Sequence, residues 1–390
     1  MKIVHVVSTL DPAVGGPPQV AVRLAAAQAA LGHEIHLVYY AASSHQERVA
    51  QQLERVPHRA RLHLHPLPDP GRYERLFATR AQRALRDVIV GADFVHIHGV
   101  WDAILKKAAD VARSQCVPYC FRPAGMLDPW SLAQKPWKKR LALALGYRAA
   151  LEASSFIHSL NVDEKRLIEP LRLGVPIVVL GNGVFVEEIE PLPRRGTFRA
   201  AHPELGTDPF ILFLARLHYK KGLDVLAEAF QALAKVHDRV RLVVAGPDGG
   251  AREDFVRRVA TAGLDDRVHV VGPLYGRDKF AALADAACFC LPSRQEGFSV
   301  AITEAMACGI PVVISEACHF PEVAEAQAGI VVALDATALA TALGAIVADP
   351  AEASRKGAAG AALVRARYTW AIIAAQSIGR YQTARPSPPC

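Results

Sequence analysis

The chain of 390 residues lacks the features that mark several common protein classes. No stretch approaches the ~18 consecutive apolar residues that a membrane-spanning helix needs. The opening MKIVHVVSTL is too short an apolar run for a signal peptide and predicts a buried strand. Seven cysteines, scattered between Cys116 and Cys390, form no paired C-x-x-C motif with the histidine spacing of a zinc site. We therefore expect a protein of the reducing cytoplasm with no metal site.

The chain also lacks internal repeats, low-complexity segments and the G-x-G-x-x-G fingerprint of dinucleotide-binding oxidoreductases. What it has is a large apolar fraction: 51% of its residues are apolar and 21% are charged, which is typical of a globular protein with large buried sheets. The chain is longer than a domain with a single hydrophobic core usually is, so we expect two domains of roughly 150 to 200 residues each.

The net charge of +7 is unevenly distributed. Residues 1–185 hold 23 Lys and Arg against 15 Asp and Glu, whereas the remainder holds 22 against 23. A basic first half favours an acidic partner, such as an anionic membrane surface or a phosphate-bearing acceptor, over nucleic acid. A solvated surface with Arg-rich helices explains the same numbers, and the charge alone does not decide between them.

Short apolar runs alternate with stretches of helical periodicity along the whole chain. IVHVV, IHLVYY, FVHIHGV and IVVLG form a first series, and the rhythm restarts at Pro209 with FILFLARL, LVVAGP, RVHVVGPL, CFCLPS and PVVIS. This alternation indicates βα units around parallel sheets. A Pro-, Glu- and Arg-rich segment, VFVEEIEPLPRRGTFRAAHPELGTDP, separates the two series as a linker. The sequence therefore predicts an α/β protein with two doubly wound domains.

Ligands of doubly wound sheets bind beyond the carboxyl ends of the strands, where loops enter helices. Gly15 and Gly16 follow the first strand, and adjacent glycines let a backbone pass close to a phosphate, although a plain tight turn has the same pattern. His96 and His98 lie on one side of the FVHIH strand, near its end. His98 can reach a bound sugar or phosphate there, and a purely structural role is about equally favoured.

A basic aromatic segment, Trp137–Arg140, precedes an apolar stretch in the first half of the chain. As an amphipathic helix it suits the surface of an anionic bilayer. The alternative is a helix with Lys and Arg at its ends that packs on the first domain, and the pattern slightly favours this alternative.

The second half carries a stronger motif, FLARLHYKKG. Arg216 leaves a predicted strand, and Lys221 precedes Gly222 and a helix. Two cations beside a helix N-terminus suit a diphosphate, because Arg offers a planar fork and Lys a compact charge. Lys220 is expected to be solvated. Two other loops, which contain Gly246 and Leu274, could line a nucleotide base, although either one alone is an ordinary βα turn.

The stretch RQEGFSVAITEA, residues 294–305, places Glu296 in a loop and Glu304 on the helix that follows. Gly297 lets the backbone N–H groups of Phe298, Ser299 and Val300 face an anion at the helix N-terminus. Glu304 lies about five residues into the helix, roughly 7 to 8 Å deeper by the helix rise. The two carboxylates therefore do not form a close acid/base pair, and we expect each to meet a different part of a ligand.

Together these motifs resemble the family 4 retaining glycosyltransferases of the GT-B fold, over nearly the whole chain. The resemblance rests on EGFSVAITE, ARLHYKKG, AGP, VVGPL, ACGIPVV, GNGV at 181–184 and the closing YTW helix. The GGPPQ loop and RPAGMLDPW further resemble bacterial members that build surface polysaccharides. The resemblance implies two Rossmann-like domains that face each other across a cleft. Residues 1–183 plus 366–390 would form the acceptor side, and residues 186–365 the nucleotide-sugar side.

The resemblance also implies residue roles. Arg216 and Lys221 neutralise the donor diphosphate, Glu304 accepts hydrogen bonds from the ribose, and Glu296 holds hydroxyls of the donor sugar. His98 faces the donor sugar from the first domain and is counted with these catalytic residues. The remaining donor-binding residues are expected to contribute mainly backbone and apolar contacts: Gly16, Gly246, Leu274, Gly297, Phe298, Ser299 and Val300.

The implied reaction transfers a hexosyl-type sugar from a UDP- or GDP-sugar to a hydroxyl of a glycan or lipid-linked acceptor in cell-envelope biosynthesis. Departure of the diphosphate builds negative charge where Arg216 and Lys221 are expected. No Asp-x-Asp occurs in the chain, so we predict metal-independent activity. No cofactor is expected because the nucleotide sugar is a substrate, and no protein nucleophile can be identified. We expect an enzyme of the cytoplasm, peripheral on the inner face of the plasma membrane if the basic half binds lipid.

Two departures from the family pattern concern the first domain. Many relatives have PNGV where this chain has GNGV, and the stretch from Arg122 to Gly125 lacks a polar group that some relatives carry before GM. Two other functions fit the same fold: a non-catalytic nucleotide-sugar-binding partner and a nucleotide-sugar epimerase. A phosphorylase fits less well, because it usually has a much longer chain.

Overall fold

The computed structural model describes residues 1–386, so Cys390 lies outside the described part of the chain. The chain forms two compact units. Unit 1 comprises Met1–Asn182 together with the chain from Trp370 onward, and unit 2 comprises Gly183–Thr369. Among the described residues, no helix combines the length and the apolar character needed to cross a bilayer.

Unit 1 is built on one parallel sheet of seven strands in the order β3-β2-β1-β4-β5-β6-β7. The strands are β1 (Lys2–Thr9), β2 (Glu34–Ala41), β3 (Leu62–Pro68), β4 (Phe94–His98), β5 (Tyr119–Arg122), β6 (Phe156–Ser159) and β7 (Ile177–Val179). The helices between them are α1 (Gly16–Ala30), α2 (Gln46–Glu54), α3 (Arg72–Phe77), α4 (Thr79–Ile89), α5 (Ala103–Ser114), α6 (Pro129–Ala133), α7 (Pro136–Ala142), α8 (Arg148–Glu152) and α9 (Val162–Ile168).

Unit 2 is built on a parallel sheet of six strands in the order β10-β9-β8-β11-β12-β13. The strands are β8 (Phe210–Leu214), β9 (Arg241–Ala245), β10 (Val268–Gly272), β11 (Cys288–Leu291), β12 (Val312–Ser315) and β13 (Gly329–Val332). The helices are α10 (Val186–Ile189), α11 (Thr197–Ala201), α12 (Leu223–Ala234), α13 (Arg252–Thr261), α14 (Gly276–Asp285), α15 (Val300–Ala307), α16 (Glu322–Glu325), α17 (Ala336–Ala348) and α18 (Pro350–Arg367).

The central strands are apolar on both sides because helices cover both faces of each sheet. In β1, Ile3 and Val4 point to opposite faces and both are fully buried. Unbroken apolar runs such as FILFL of β8 follow from the same arrangement, since every side chain of that strand is buried. The predicted α/β class with two doubly wound sheets is confirmed.

The last helix, α19 (Trp370–Thr383), belongs to unit 1. Its buried side chains recur every three or four residues, at Trp370, Ile373, Ser377 and Tyr381 among others, which is the stripe expected of a helix with one face on a core. The ring of Tyr381 stacks on Phe94 of β4 with 4.1 Å between centroids. Helix α19 therefore completes one face of the unit 1 sheet.

The strand orders define where ligands are expected in each unit. In unit 1 the order reverses between β1 and β4, and in unit 2 it reverses between β8 and β11. Crevices outside the carboxyl ends of the strands at such switch points are the usual ligand sites of open α/β sheets. The loops that follow β1, β4, β8 and β11 are therefore the first places to look for a site.

Candidate active site

In unit 2, the loop after β8 packs directly on the loop after β11. Gly222 has φ +69°, and a Cβ atom there would lie 1.9 Å from the carbonyl oxygen of Pro292. No other residue fits, because its side chain would overlap backbone that cannot move away. The backbone N–H of Arg294 donates to the carbonyl of Lys220 at 2.7 Å. The two loops form one rigid edge at the switch point.

Side chains tie the same two loops together. The Arg294 guanidinium donates to both carboxylate oxygens of Asp224 on α12, at 2.7 Å each. Such a two-pronged pair fixes orientation as well as distance. The Lys220 ammonium donates to Gln295 Oε1 at 3.0 Å, so the expectation that Lys220 is merely solvated is wrong. Sequence patterns did not single out Arg294, Asp224 or Gln295, because each makes its contact across about 70 residues of chain.

Lys221 and Glu296 form an ion pair at this edge. Both the Lys221 ammonium and the Ser293 hydroxyl, the latter at 2.6 Å, donate to the same oxygen, Glu296 Oε1. Among residues 1–386, the second oxygen, Oε2, has no hydrogen-bond partner. An ammonium carries three N–H groups, so Lys221 retains donors for an anion while Glu296 Oε2 retains capacity for a hydroxyl.

Arg216 lies two residues after the end of β8, and its side chain is exposed. Within the described residues its guanidinium has neither a carboxylate nor another hydrogen-bond partner. The aliphatic part of the Arg216 side chain packs against Gly249, where a Cβ atom would lie 2.9 Å from Arg216 Cγ. Gly246 has φ +151°, and a Cβ there would lie 1.8 Å from the Ala215 carbonyl oxygen. The loop after β9 therefore needs glycine at both positions to support Arg216.

Helix α15 follows the loop after β11, which is bonded to the loop that carries these cations. Ser299 is its N-cap residue, but its side chain makes no capping hydrogen bond, so the first N–H groups of the helix have no side-chain acceptor from it. Phe298 packs against Phe320 with 5.3 Å between ring centroids, which anchors the loop just before the helix. Gly297 is exposed in the loop itself. A helix start whose N-cap side chain accepts no hydrogen bond among residues 1–386 adds positive charge to the same edge of unit 2 as the loop that carries Arg216 and Lys221.

Glu304 lies on the same helix and is 8% exposed. Its Oε1 accepts a hydrogen bond from the Lys279 ammonium of α14 at 2.6 Å. Each of the two glutamates thus has its own lysine, which fits their expected separation along the helix. Lys279 is a further residue at this edge that the sequence motifs did not single out, since the GRDKF segment carries no signal beyond its charge.

Leu274 lies in the loop after β10, and β10 is the neighbour of β9 in the sheet. It is half-buried and packs against the apolar core of unit 2, while the neighbouring Pro273 and Tyr275 are exposed. Gly272, which ends β10, has φ +80° and accepts the backbone N–H of Gly246 at 2.9 Å. The loops after β9 and β10 therefore meet through backbone groups, as expected for loops that would line a base.

Unit 1 carries the two other predicted residues, His98 at the end of β4 and Gly16 after β1, the two strands between which the strand order reverses. His98 ends β4, is 3% exposed, and contacts His5 of β1, with His98 Nε2 2.9 Å from His5 Nδ1. Gly16 begins α1, and a Cβ atom there would meet no atom within 4 Å among residues 1–386. Protein packing therefore does not require glycine at position 16. Pro17 and Pro18 follow it, so two early N–H groups of α1 are missing.

A buried cation lies beside His98 on the neighbouring strand β5. Arg122, the last residue of β5, is 2% exposed, and its Nη2 donates to Asn182 Oδ1 at 2.7 Å. Burial lowers the pKa of Arg122 from 12.5 to about 10, and the nearby Glu164 partly opposes this. Asn182 belongs to the GNGV turn, so that turn, which departs from the family pattern, positions the end of β5.

Comparisons with known proteins give the chain its family. Residues 15–183 match the model of the glycosyl transferase 4-like domain, and residues 194–362 match the model of the glycosyl transferases group 1. Alpha-maltose-1-phosphate synthase of Mycobacterium tuberculosis is 30% identical over 334 residues, which cover 77% of this chain and 82% of that protein. The chain belongs to the family 4 glycosyltransferases. The expected family is thereby confirmed.

Other similarities are consistent with this family. A phosphatidyl-myo-inositol mannosyltransferase of Mycobacterium leprae is 34% identical to this glycosyltransferase over 219 residues, 55% of this chain. The alignment spans about half of that relative, 56% of its length. The crystal structure of HepE from Anabaena in complex with UDP and glucose has a TM-score of 0.75 at 18% identity, and it covers 98% of this chain and all of the other. That likeness supports the GT-B fold.

In this glycosyltransferase, unit 2 therefore brings together most of the predicted donor residues. Arg216, Lys221, Glu296 and the start of α15 share the edge formed by the loops after β8 and β11. Glu304, further along α15, accepts a hydrogen bond from Lys279 of α14. His98 and Gly16 belong to unit 1. The substrate contacts expected of all these residues stay predictions.

Proposed function

We propose that the chain is a retaining hexosyltransferase that uses a nucleotide sugar, with UDP or GDP as the nucleotide, and a hydroxyl of a glycan or lipid-linked acceptor. One observation carries the proposal: Arg216, a cation with no partner among the described residues, shares the loop after β8 with Lys221, and this loop packs on the loop that leads into α15. This edge is suited to a diphosphate. The named relatives, a mannosyltransferase and a maltose-1-phosphate synthase, support the choice of a hexosyl donor.

The charges fit the demands of the bond that breaks. Departure of the sugar leaves negative charge on the diphosphate, and preorganised donors stabilise charge that develops in the transition state. Arg216 needs no rearrangement to meet that charge, since it has no partner to give up among residues 1–386. Lys221 is already oriented by Glu296 and retains two further N–H donors. Glu296 Oε2 would accept a hydrogen bond from a hydroxyl of the donor sugar, and Glu304 from the ribose.

An acceptor site is proposed in unit 1. A cavity of about 350 Å³ lies at the carboxyl ends of β1, β2 and β4, and its polar lining includes Ser8, Asp11, Tyr40, Glu74 and Asp102. Burial opposes ionisation of Glu74, but hydrogen bonds from the N–H groups of Ala81 and Arg80 keep its pKa below the ordinary value. Both oxygens of Glu74 already accept from protein donors, so the exposed carboxylate of Asp102 is the group left to accept hydrogen bonds from a hydroxyl-rich acceptor such as a glycan.

For retention, we propose same-face attack, in which the leaving phosphate takes the proton of the acceptor hydroxyl. No side chain needs to act as a nucleophile in this scheme. Arg216 and Lys221 keep the leaving group close to the sugar, because an ion-paired diphosphate does not diffuse away before the acceptor attacks. Activity should be independent of divalent metal ions, since the two cations and the helix N-terminus supply the positive charge.

The experiment is a product analysis. The full chain is incubated with UDP- and GDP-hexoses and a cell-envelope lipid extract as acceptor, in EDTA, and the product is examined by NMR. An anomeric configuration equal to that of the donor, in EDTA, supports the proposal. Inversion refutes retention, and strict dependence on added manganese refutes the metal-free mechanism. Conversion of the nucleotide sugar without an acceptor would favour the epimerase, and binding without turnover the non-catalytic partner.

We also propose that unit 1 makes a peripheral contact with an anionic membrane. Helix α7 and its neighbours expose Trp130, Trp137, Leu141 and Leu145, each 48% to 67% exposed. No residue of α7 is buried, so the alternative, a helix packed on the unit through its apolar side, is not supported. The Lys138 ammonium lies 5.3 Å from the centre of the Trp137 ring. Exposed aromatic and aliphatic side chains among basic ones suit the headgroup region of an anionic bilayer.

Vesicle flotation tests this contact. The chain should bind vesicles of phosphatidylglycerol and phosphatidylcholine, and the binding should weaken at 1 M salt, where the screening length falls to ~3 Å. Trp137→Ser combined with Leu141→Ser should reduce binding about tenfold or more, given about 1.5–3 kcal/mol for each large apolar side chain. Val236→Ser is the matched control, because Val236 is 78% exposed in unit 2. Binding to neutral vesicles alone, or equal binding by both variants, would contradict the contact.

A further inference from the structure

A chain of buried hydrogen bonds connects α19 to His98. Ser377 Oγ is 2.7 Å from the carbonyl of Ala374, and Gln28 Nε2 is 2.8 Å from Ser377 Oγ. Gln28 Oε1 is 2.7 Å from His5 Nε2, and His5 Nδ1 is 2.9 Å from His98 Nε2. Ser377, Gln28 and His5 are fully buried. The chain crosses from the last helix of unit 1, through α1 and β1, to the end of β4.

The direction of every proton in this chain follows from its first link. A backbone carbonyl only accepts, so the Ser377 hydroxyl must donate to Ala374. Its oxygen can then only accept from Gln28, which requires the amide nitrogen there and turns the Gln28 oxygen toward His5. His5 therefore carries its proton on Nε2. A neutral imidazole has one donor and one acceptor, so His5 Nδ1 accepts from His98 Nε2–H.

The last step concerns the other nitrogen of His98. If His98 is neutral and protonated at Nε2, its Nδ1 carries a lone pair and no proton. This atom is buried, with less than 1 Å² of exposed surface, and it has no hydrogen-bond partner among residues 1–386, so it is an unsatisfied acceptor in the described structure. Burial lowers the pKa of His98 well below its ordinary value and lowers that of His5 to about 4, and Arg122 disfavours a proton on His98 further. Both rings are therefore neutral near pH 7.

We propose that this hydrogen-bond chain holds His98 in the single tautomer whose Nδ1 accepts a hydrogen bond from a substrate hydroxyl, with His5 and Gln28 as positioning residues. The proposal rests on the proposed sugar-transfer function for the identity of the hydroxyl. The opposite tautomer would place two N–H groups, or two lone pairs, face to face at one link of the chain. An unmade buried hydrogen bond is costly, so one tautomer dominates.

The same histidines form the one group within the described residues that could be considered as a metal site: His5, His96 and His98. Their geometry favours the hydrogen bond. Two imidazole nitrogens on one tetrahedral zinc, with bonds of about 2.0–2.1 Å, lie roughly 3.3–3.4 Å apart. His5 Nδ1 and His98 Nε2 are 2.9 Å apart, a normal hydrogen-bond distance. His96 Nδ1 is instead 2.5 Å from the hydroxyl of Tyr381.

The experiment reads the tautomer directly. The full chain is labelled with ¹⁵N-histidine, and long-range ¹H–¹⁵N correlation spectra separate protonated from unprotonated ring nitrogens. A His98→Gln spectrum assigns the His98 signals. The wild type should show unprotonated Nδ1 and protonated Nε2 at His98. Protonated Nδ1, rapid averaging between tautomers, or stoichiometric zinc by elemental analysis would overturn the proposal.

Two variants separate this role from a structural one. Gln28→Met keeps the volume and removes the acceptor of His5, so a His98 population with protonated Nδ1 should appear. Tyr381→Phe is the matched control: it removes a buried hydroxyl that contacts Gln28 and His96 but leaves the chain to His98 intact. Its His98 spectrum should equal that of the wild type. Equal perturbation by both variants would show a merely structural role and overturn the proposal.

Kinetics then tests the link to the substrate. The kcat/KM of transfer should fall about tenfold in Gln28→Met, the equivalent of one hydrogen bond, and stay within about twofold in Tyr381→Phe. An unchanged kcat/KM with a shifted tautomer would overturn the substrate role. If Gln28→Met does not fold, Ser377→Ala combined with Tyr381→Phe removes both acceptors of the Gln28 amide nitrogen and should also shift the tautomer. The spectra need no substrate, so a wild type without transferase activity would refute the proposed function alone.

Discussion

Removing Arg216 should abolish sugar transfer and leave the fold intact. Its guanidinium is exposed and has no partner among residues 1–386, so Arg216→Ala leaves no buried group unsatisfied. Unfolding free energies change by about 0.5 kcal/mol or less at such sites. Loss of a donor that faces developing negative charge typically costs about 10²–10³ in kcat. The measurement is release of nucleoside diphosphate at saturating donor, together with a melting curve.

Lys221→Ala should lower both activity and stability, because its partner Glu296 is left behind with 9% of its side chain exposed. The carboxylate keeps its hydrogen bond from Ser293 but loses its cation. Loss of a partner of a buried polar group costs about 1–3 kcal/mol, which lowers the melting temperature of a domain of this size by about 2–12 °C. Lys220→Ala is the control: it removes the neighbouring cation, whose ammonium donates to Gln295 and not to Glu296, so turnover should stay within about threefold. Turnover above about a hundredth of wild type in the Arg216→Ala, Lys221→Ala double variant would refute the leaving-group role.

Two further predictions concern the ribose contact and acid stability. Glu304→Gln should weaken binding of a nucleoside diphosphate about 10-fold or more by calorimetry, because hydrogen bonds to a charged group contribute about 1.5–3 kcal/mol. The control is Glu316→Gln at an exposed position, which should leave the affinity unchanged. Equal affinities of wild type and Glu304→Gln would contradict the ribose role. Burial lowers the pKa of His5 from 6.5 to about 4, so between these values the unfolded chain binds more protons than the folded one, and stability is lost as the pH falls through that window. At pH 5 this costs about 2 kcal/mol for each such histidine, and a melting temperature that does not fall between pH 7.5 and pH 5 would contradict the buried neutral state.

The sequence was enough to predict the two sheets and the loops that carry Arg216, Lys221 and Glu296. Short strands followed by glycines and helix starts have a local signature, and the carboxyl ends of parallel strands always lie at one edge of a sheet. Charged residues in those loops therefore had to share an edge if their strands were neighbours. The strand order places β8 beside β11, and this is why loops some 75 residues apart meet.

The partners of the predicted residues could not be inferred from the sequence. Lys279 of α14 contacts Glu304 of α15 across 25 residues of chain, a fact of packing that no local pattern encodes. The contact of Gln28 with Ser377 spans 349 residues and depends on the return of α19 to unit 1. A buried glutamine on an Ala-rich helix has no signal that distinguishes it from a solvated one. Periodicity predicts elements, but the neighbours of each element follow from topology.

The central claim is that the edge formed by the loops after β8 and β11 of unit 2 binds a nucleotide sugar through its diphosphate. The most direct measurement is calorimetric titration of UDP-, GDP- and ADP-hexoses into the full chain, in EDTA, with the Arg216→Ala, Lys221→Ala double variant alongside. We predict saturable one-to-one binding of a UDP- or GDP-sugar by the wild type, at least about 100-fold weaker in the variant, the equivalent of two charged hydrogen bonds. Absence of binding for all three donors, or equal affinity of wild type and variant, would contradict the claim.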